Sequence, residues 1–369
     1  MIPAIDILEN VALAPRTTLE LGGPARYYLV AKSEAMVIDA LRWARLRGVP
    51  AAILGGGSNL VVADEGFDGL VIELDLFGVA EERDGDRVVI TAAAGEDWDR
   101  LVARTVAAGY AGLECLSGIP GRVGATPIQN VGAYGQEVSD TLRSVRVVDR
   151  ESLRIGTLSA EECELGYRDS RFKREPDRFV VLAVSYALQP GGAPTVAYAE
   201  LERALGTRER TLASVREAVL ELRRAKSMLV DEDDSNRRSA GSFFTNPIVE
   251  NEVADRLVER AVAAGLAASV DEVPRWPARG RDGRPMTKLA AGWLIERAGI
   301  AKGTRHGRVG VSTKHALALV HHGGGTTREL IELAATIRDA VRARFGVTLV
   351  PEPTLWGFDG DPLRVSPGA

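Results

Sequence analysis

Apolar positions recur at helical spacing from Glu34 to Gly48, where Val37, Leu41 and Ala44 share one face and Gly48-Val49-Pro50 stops the helix. The run Ala51-Ala52-Ile53-Leu54 predicts a buried strand that feeds Gly55-Gly56-Gly57-Ser58-Asn59. Val88 to Ala92 predicts another strand. Asp97 is placed to cap a helix that carries Leu101, Val102 and Val106 and ends at Gly109. Strands are expected over Arg143 to Val148 and Phe179 to Leu188, the second apolar on both faces and therefore central in its sheet. Between Ser117 and Gly135 neither period holds, and glycine punctuates the chain instead.

Gln189-Pro190-Gly191-Gly192-Ala193-Pro194 has the composition of a linker. Beyond it, Leu212, Val215, Val219 and Leu222 line one face of a helix from Thr211 to Lys226. Asp231-Glu232-Asp233-Asp234 is a charge run, expected as a solvated loop; it lacks the alternating ligands and glycine turn of a calcium loop. Lys288 to Gly299 and Thr326 to Phe345, with strands over Ala316 to Val320 and Val347 to Val350, complete a second α/β region. The fold class is α+β with mixed sheets. The expected division is 1–190, itself broken into two subdomains near 80, then 195–350, then a tail over 351–369.

Hydrophobic residues at 45% and charged residues at 26% describe an ordinary globular chain, and 369 residues can bury a large core. The net charge of -5 gives no reason to expect nucleic acid or an anionic membrane as partner. No apolar run approaches the roughly 18 residues of a membrane span. Met1-Ile2-Pro3-Ala4-Ile5-Asp6 lacks the basic start and apolar stretch of a secretory leader, so none is expected. Cys115 and Cys163 are far apart and outside metal spacing, which suits small apolar residues in a reducing cytoplasm.

Five segments can carry chemistry. In Gly55, Gly56, Gly57, Ser58 and Asn59, backbone N–H groups can converge on an anion, although a plain tight turn explains the glycines equally well. In the long loop, Ser117, Gly118, Ile119, Gly121, Gly124, Ala125, Thr126, Gln129, Asn130, Gly132, Ala133 and Tyr134 offer backbone donors and polar side chains. Its apolar members argue against disorder. Neither loop is a dinucleotide G-x-G-x-x-G or a Walker loop, so a Rossmann nicotinamide domain is not supported. In Gly166-Tyr167-Arg168-Asp169-Ser170, Arg168 can clamp a carboxylate or simply lie in a basic turn. Ser242, between Gly241 and Phe243-Phe244, is a small hydroxyl in apolar company and not a G-x-S-x-G nucleophile. Pro351-Glu352-Pro353 holds a carboxylate on stiff extended backbone. His306, His315, His321 and His322 lack zinc spacing, and no metal is expected.

The order G-G-G-S-N, P-I-Q-N-V-G-A-Y-G, G-Y-R-D-S, A-G-S-F-F and P-E-P resembles the UDP-N-acetylenolpyruvoylglucosamine reductases from about Thr17 to Glu352. The resemblance implies an FAD-binding fold of the FAD-linked oxidase (PCMH/VAO-like) type in 1–190 and a substrate-binding domain in 195–350. It implies non-covalent FAD on the two glycine loops, NADPH as co-substrate, and reduction of an enolpyruvyl UDP-sugar in cell-wall precursor synthesis. Arg168, Ser242 and Glu352 match its catalytic residues, with Ser242 the proton donor. Tyr167, Tyr198, Lys226, Asn246, Lys288 and His315 are the expected UDP-sugar contacts, in a cytoplasmic monomer. The charged segment between Lys226 and Ser242 departs from the family pattern. Competing readings are another FAD-linked oxidoreductase on the same fold and a non-catalytic nucleotide-binding protein.

Overall fold

The computed structural model describes residues 5–364; Met1–Ala4, where the leader reading began, and the tail from 365 lie outside the described residues. By contact the chain forms two compact units. One comprises the residues up to Ala12 with Pro24–Gly57 and Phe67–Val230; the other comprises Leu13–Gly23, Ser58–Gly66 and the chain from Asp231 on.

Two large sheets build the first unit. Leu8–Ala12, Pro24–Ala31, Phe67–Leu74 and Ala51–Leu54 lie in that order, the last three mutually parallel. The helix Glu34–Arg47 covers this sheet with Val37, Leu41 and Ala44, as its spacing predicts. Ser33 caps its start by accepting from the Met36 amide, and Gly48 ends it at φ 64°. The second sheet is antiparallel, in the order Arg154–Ser159, Leu142–Asp149, Phe179–Pro190, Arg87–Ala93, Val79–Asp84. Phe179–Pro190 is central, as expected of a strand apolar on both faces. Asp97 caps Trp98–Ala107 by accepting from the Arg100 amide. Trp98, Leu101 and Val102 from this helix enter the core that Val184, Tyr186 and Leu188 build from the sheet.

The linker-like stretch 189–194 does not end this unit. Leu201 and Leu205 of Ala199–Leu205, with Val215 and Val219 of Leu212–Ala225, pack on Cys115. Buried Glu114 fixes the approach: its carboxylate accepts from the amides of Gly112 and Thr195 (2.7 Å each) and from Gln136 Nε2 at 2.9 Å. By contact this unit runs on to Val230.

In the second unit an antiparallel sheet orders Ser239–Ser242, Ala318–His321, Val309–Val311 and Arg305–His306. A three-stranded sheet joins Ile248–Glu250, Pro285–Leu289 and Arg275–Arg279, and Thr354–Trp356 pairs in parallel with Leu60–Val62. The helix Thr327–Phe345 buries Leu330, Ala334, Ile337 and Val341, with Thr326 and Glu329 forming a capping box. Two predicted elements are corrected. Lys288 lies in the strand Pro285–Leu289, paired with Ile248 and Trp276, and the helix begins only at Ala291. Residues 347–350 alternate buried and exposed as a strand would, but they join no ladder.

Two outcomes follow. Glu114→Ala leaves buried donors without their acceptor and should lower unfolding free energy by about 3 kcal/mol, as read from urea titration; an unchanged midpoint would show that Glu114 holds nothing. Burial pushes the Cys115 and Cys163 thiols up to about 12. At pH 8 the native protein should resist a chromogenic disulfide reagent for hours and release its two thiols only in guanidinium. Rapid native labelling would contradict their burial.

Candidate functional site

The strand Ala51–Leu54 ends in Gly55-Gly56-Gly57, and the contact division falls between Gly57 and Ser58. A Cβ on Gly56 would stand 2.9 Å from the Gly121 Cα, so the two glycine loops meet backbone to backbone. Gly124 lies as closely on Ala94, at 2.6 Å for an added Cβ. Such loops suit a dinucleotide whose phosphates need bare peptide N–H groups. The polar side chains of the long loop are turned inward. The Ser117 hydroxyl donates to the Glu114 carbonyl at 2.6 Å, and the Thr126 hydroxyl donates to the Val123 carbonyl at 2.8 Å and pairs with the Tyr186 hydroxyl at 2.6 Å.

Asn130 stands at φ 40°, a left-handed conformation that asparagine tolerates better than most residues. Its amide donates to Glu137 Oε2 at 2.8 Å and to the Gly166 carbonyl at 3.0 Å, while its oxygen accepts the Ser139 amide at 3.0 Å. That bond to Gly166 brings the third segment onto the loop. Arg168, also left-handed at φ 52°, donates through NH2 to the Gly132 carbonyl at 2.8 Å and lies over the Tyr167 ring. Lys173 Nζ ties the Arg168 carbonyl (3.1 Å) to Gln129 Oε1 (3.2 Å). The structure thus joins Gln129, Asn130, Gly132, Tyr167 and Arg168.

Gly132–Ala133 and Gln136–Glu137 form a small hairpin, turned through Tyr134 and Gly135 at φ 49° and 88°. The Tyr134 ring meets Tyr198 edge-on at 5.8 Å, and Lys226 Nζ lies 5.7 Å from its centroid while pairing with Glu200 at 2.6 Å. Burial pushes the Tyr134 hydroxyl up to about 12, so it stays protonated. Tyr198 and Lys226, named above as substrate contacts, are therefore neighbours of a residue named as a cofactor contact.

In the second unit, Ser242 ends its strand opposite Ala318, after Gly241 at φ 70° and an irregularity in register. The following backbone joins it to the fifth segment. The Glu352 amide donates to the Phe243 carbonyl at 2.9 Å, Phe244 bridges Pro351, and the Asn59 side chain donates to the Glu352 carbonyl at 3.4 Å. Ser242, Glu352 and Asn59 are thus carried by adjoining backbone. Asn246 accepts the Ala291 amide at 2.9 Å and so starts that helix. Lys288 lies over Trp276, and the His315 amide donates to Ser312 Oγ at 3.3 Å in the turn before Ala318.

Sequence reasoning passed over the residues that hold these loops. Asp99 accepts the Gly118 amide at 2.6 Å, and buried Arg223 donates to the Gly118 carbonyl at 3.1 Å. Asn236, buried in the charged segment, accepts the Thr313 amide at 3.1 Å and donates to its hydroxyl at 3.1 Å. Residues 231–234, just before it, form the expected loop, with Glu232 and Asp233 exposed and Asp234 paired to Lys314. Among the described residues no cluster of three or more His, Cys, Asp or Glu could hold a metal ion, and no helix is long and apolar enough to cross a membrane.

Residues 233–356 match the family model of the UDP-N-acetylenolpyruvoylglucosamine reductase C-terminal domain, and residues 25–154 match an FAD binding domain. The UDP-N-acetylenolpyruvoylglucosamine reductase of Saccharopolyspora erythraea is 51% identical over 354 residues, covering 93% of this chain and 94% of that one. The same-named protein of Thermobifida fusca is 49% identical, covering 95% and 98%. The crystal structure of the reductase (MurB) from Thermus caldophilus superposes with a TM-score of 0.62 at 25% identity, covering 95% of this chain and 99% of that one. With such identity along nearly its whole length, the chain belongs to the UDP-N-acetylenolpyruvoylglucosamine reductase family.

Proposed function

We propose that the protein is an NADPH-dependent, FAD-mediated reductase that converts UDP-N-acetylenolpyruvoylglucosamine to UDP-N-acetylmuramate for peptidoglycan synthesis. The observation that carries this reading is family membership over 93% of the chain. FAD is assigned to Gly55–Asn59 and Ser117–Tyr134. The side chains and backbone amides of Ser117, Thr126 and Asn130 hold the shape of the loop by bonding within the protein. Held there, FAD would supply hydride-transfer chemistry between NADPH and the enolpyruvyl double bond. Non-covalent binding is favoured by the sequence, whose histidines all follow residue 300, and by the deep burial of both thiols.

The chain's own residues must then manage charge and a proton. Reduction at the terminal carbon builds negative charge beside the substrate carboxylate, and Arg168 is assigned to stabilise it. Glu352 is assigned to orient or protonate the developing enolate. Ser242 gives the adjacent carbon its proton, a task that so weak an acid performs only with help from nearby positive charge or water. Tyr167, Tyr198, Lys226, Asn246, Lys288 and His315 are assigned to the UDP-sugar. Functionally, 1–190 serves flavin and 195–350 serves substrate, with Glu352 supplied by the tail. The reaction is placed in the cytoplasm, a compartment suited to unpaired thiols, with the protein acting as a monomer.

An anaerobic two-step assay tests the reading: NADPH should bleach the bound flavin, and the enolpyruvyl sugar nucleotide should restore its colour. A protein that purifies colourless and takes up no FAD would overturn it. Ser242→Ala should leave bleaching by NADPH intact while turnover of the enolpyruvyl substrate collapses; equal loss of both steps would remove Ser242 as proton donor. Arg168→Lys keeps the charge but not the planar fork, and kcat/KM should fall about 100-fold or more. Near-normal kinetics would take Arg168 out of the reaction.

A further inference from the structure

The Gly118 peptide is gripped on both sides. Its N–H donates to Asp99 Oδ1 at 2.6 Å, and its carbonyl accepts from Arg223 Nε at 3.1 Å. Asp99 is itself held by a bidentate pair with Arg216, at 2.6 and 2.8 Å. Two helices supply the grip: Trp98–Ala107 carries Asp99, and Leu212–Ala225 carries Arg216 and Arg223. Gly118 sits at φ 71°, and an added Cβ would come within 2.6 Å of Leu229 and 2.7 Å of Leu220. The turn is therefore locked by ionic contacts and by packing from Leu220 on the second helix and Leu229 just beyond its end. Gly118 belongs to the loop assigned to flavin, whereas Asp99, Arg216 and Arg223 are not among the residues assigned above to flavin, substrate or proton transfer.

We propose that Asp99 and Arg216 form a positioning pair that sets the Gly118 turn for FAD, so that flavin affinity depends on an ion pair that need not touch the cofactor. The proposal rests on the assignment of FAD to the Ser117–Tyr134 loop. Preformed backbone donors bind phosphate or a ring edge more tightly because the ordering cost is met before the ligand arrives. Asp99 is the part that fixes the turn directly; Arg216 fixes Asp99. The pair also acts across 117 residues of sequence, tying the helix beyond the linker-like stretch to the glycine loop.

The test measures the FAD dissociation constant by flavin fluorescence quenching on the full chain, with Tm of the apo and FAD-bound forms recorded in parallel. Asp99→Ala should weaken FAD about tenfold or more and narrow the gap between apo and FAD-bound Tm. Asp99→Asn keeps an acceptor for the Gly118 amide but loses the ion pair with Arg216, and should show a loss milder than that of Asp99→Ala. Arg216→Ala, which leaves Asp99 in place but unbraced, should fall between the two. Should Asp99→Ala fail to fold, a several-fold loss in Arg216→Ala with milder loss in Asp99→Asn supports the proposal. Equal lowering of both Tm values with unchanged FAD affinity would reduce the pair to a structural brace and overturn it. Wild-type protein that binds no FAD would instead refute the flavin assignment itself, which separates the two failures.

Discussion

A loop of nineteen residues with little regular structure can be ordered inside a protein only if most of its peptide groups find partners other than a helix or a ladder. This constraint governs the first unit from Ser117 to Gly135. Some partners are local: Thr126 donates its backbone amide to the Val123 carbonyl, and Val131 donates its own to Thr126. The decisive ones come from elsewhere. Asp99 and Arg223 hold the Gly118 peptide, Trp98 donates its amide to the Gly121 carbonyl, and Val123 donates its amide to Glu96. Asn130 ties its own turn to Glu137 and Ser139 and to Gly166 with one amide side chain. Each such bond contributes only about 1 kcal/mol net, but leaving a buried donor without a partner costs more. The loop is rigid because its alternatives are expensive.

The second unit solves a related problem by simpler means. Ser242 and Glu352, 110 positions apart in the sequence, are brought onto adjoining backbone by a single bridge of two amide-to-carbonyl bonds, Glu352 to Phe243 and Thr245 to Val350. The flanking Phe243 and Phe244 are buried and stack edge-on at 5.2 Å, which anchors that backbone in the core of Leu257, Leu294 and Leu330. Apolar packing thus fixes where the polar groups stand. The prolines around Glu352 limit its backbone further, since neither can adopt helical geometry freely with its neighbour.

How much of this was legible in the sequence depended on the range of the interaction. The helices Glu34–Arg47, Trp98–Ala107 and Thr327–Phe345 carry their own periodicity and stop or cap residues, so their existence was readable. The centrality of Phe179–Pro190 was readable from its apolar faces. Residues 347–350 mislead because Val347 and Leu349 are buried while Val350 is exposed, and alternation reports burial rather than a ladder partner. Lys288 misleads in the opposite sense: its pairing with Ile248 is tertiary, and the helix start at Ala291 is set by Asn246, 45 positions away. Of the candidate site, motif order named Arg168, Ser242 and Glu352, but nothing local named Asp99 or Arg216. Both look like ordinary charges on amphipathic helices, and only the fold sets them against Gly118.

This asymmetry has a physical basis in what each kind of residue must do. A glycine that lets two backbones touch, such as Gly56 against Gly121, is marked in the sequence because no other side chain fits. An arginine that braces a carboxylate is not marked, because its type suits the surface equally well. Arg223 makes the point sharply. It lies in the last turn of its helix, where a basic residue is favoured by the helix dipole, so sequence gives it a sufficient solvent-facing explanation. In the fold it is buried, its charged form disfavoured by desolvation, and its guanidinium is committed to the Gly118 and Met228 carbonyls. A buried arginine is retained at such cost only where its removal would leave backbone carbonyls with no donor. Glycines make the close approach possible in this loop, and buried charges from distant helices make it permanent.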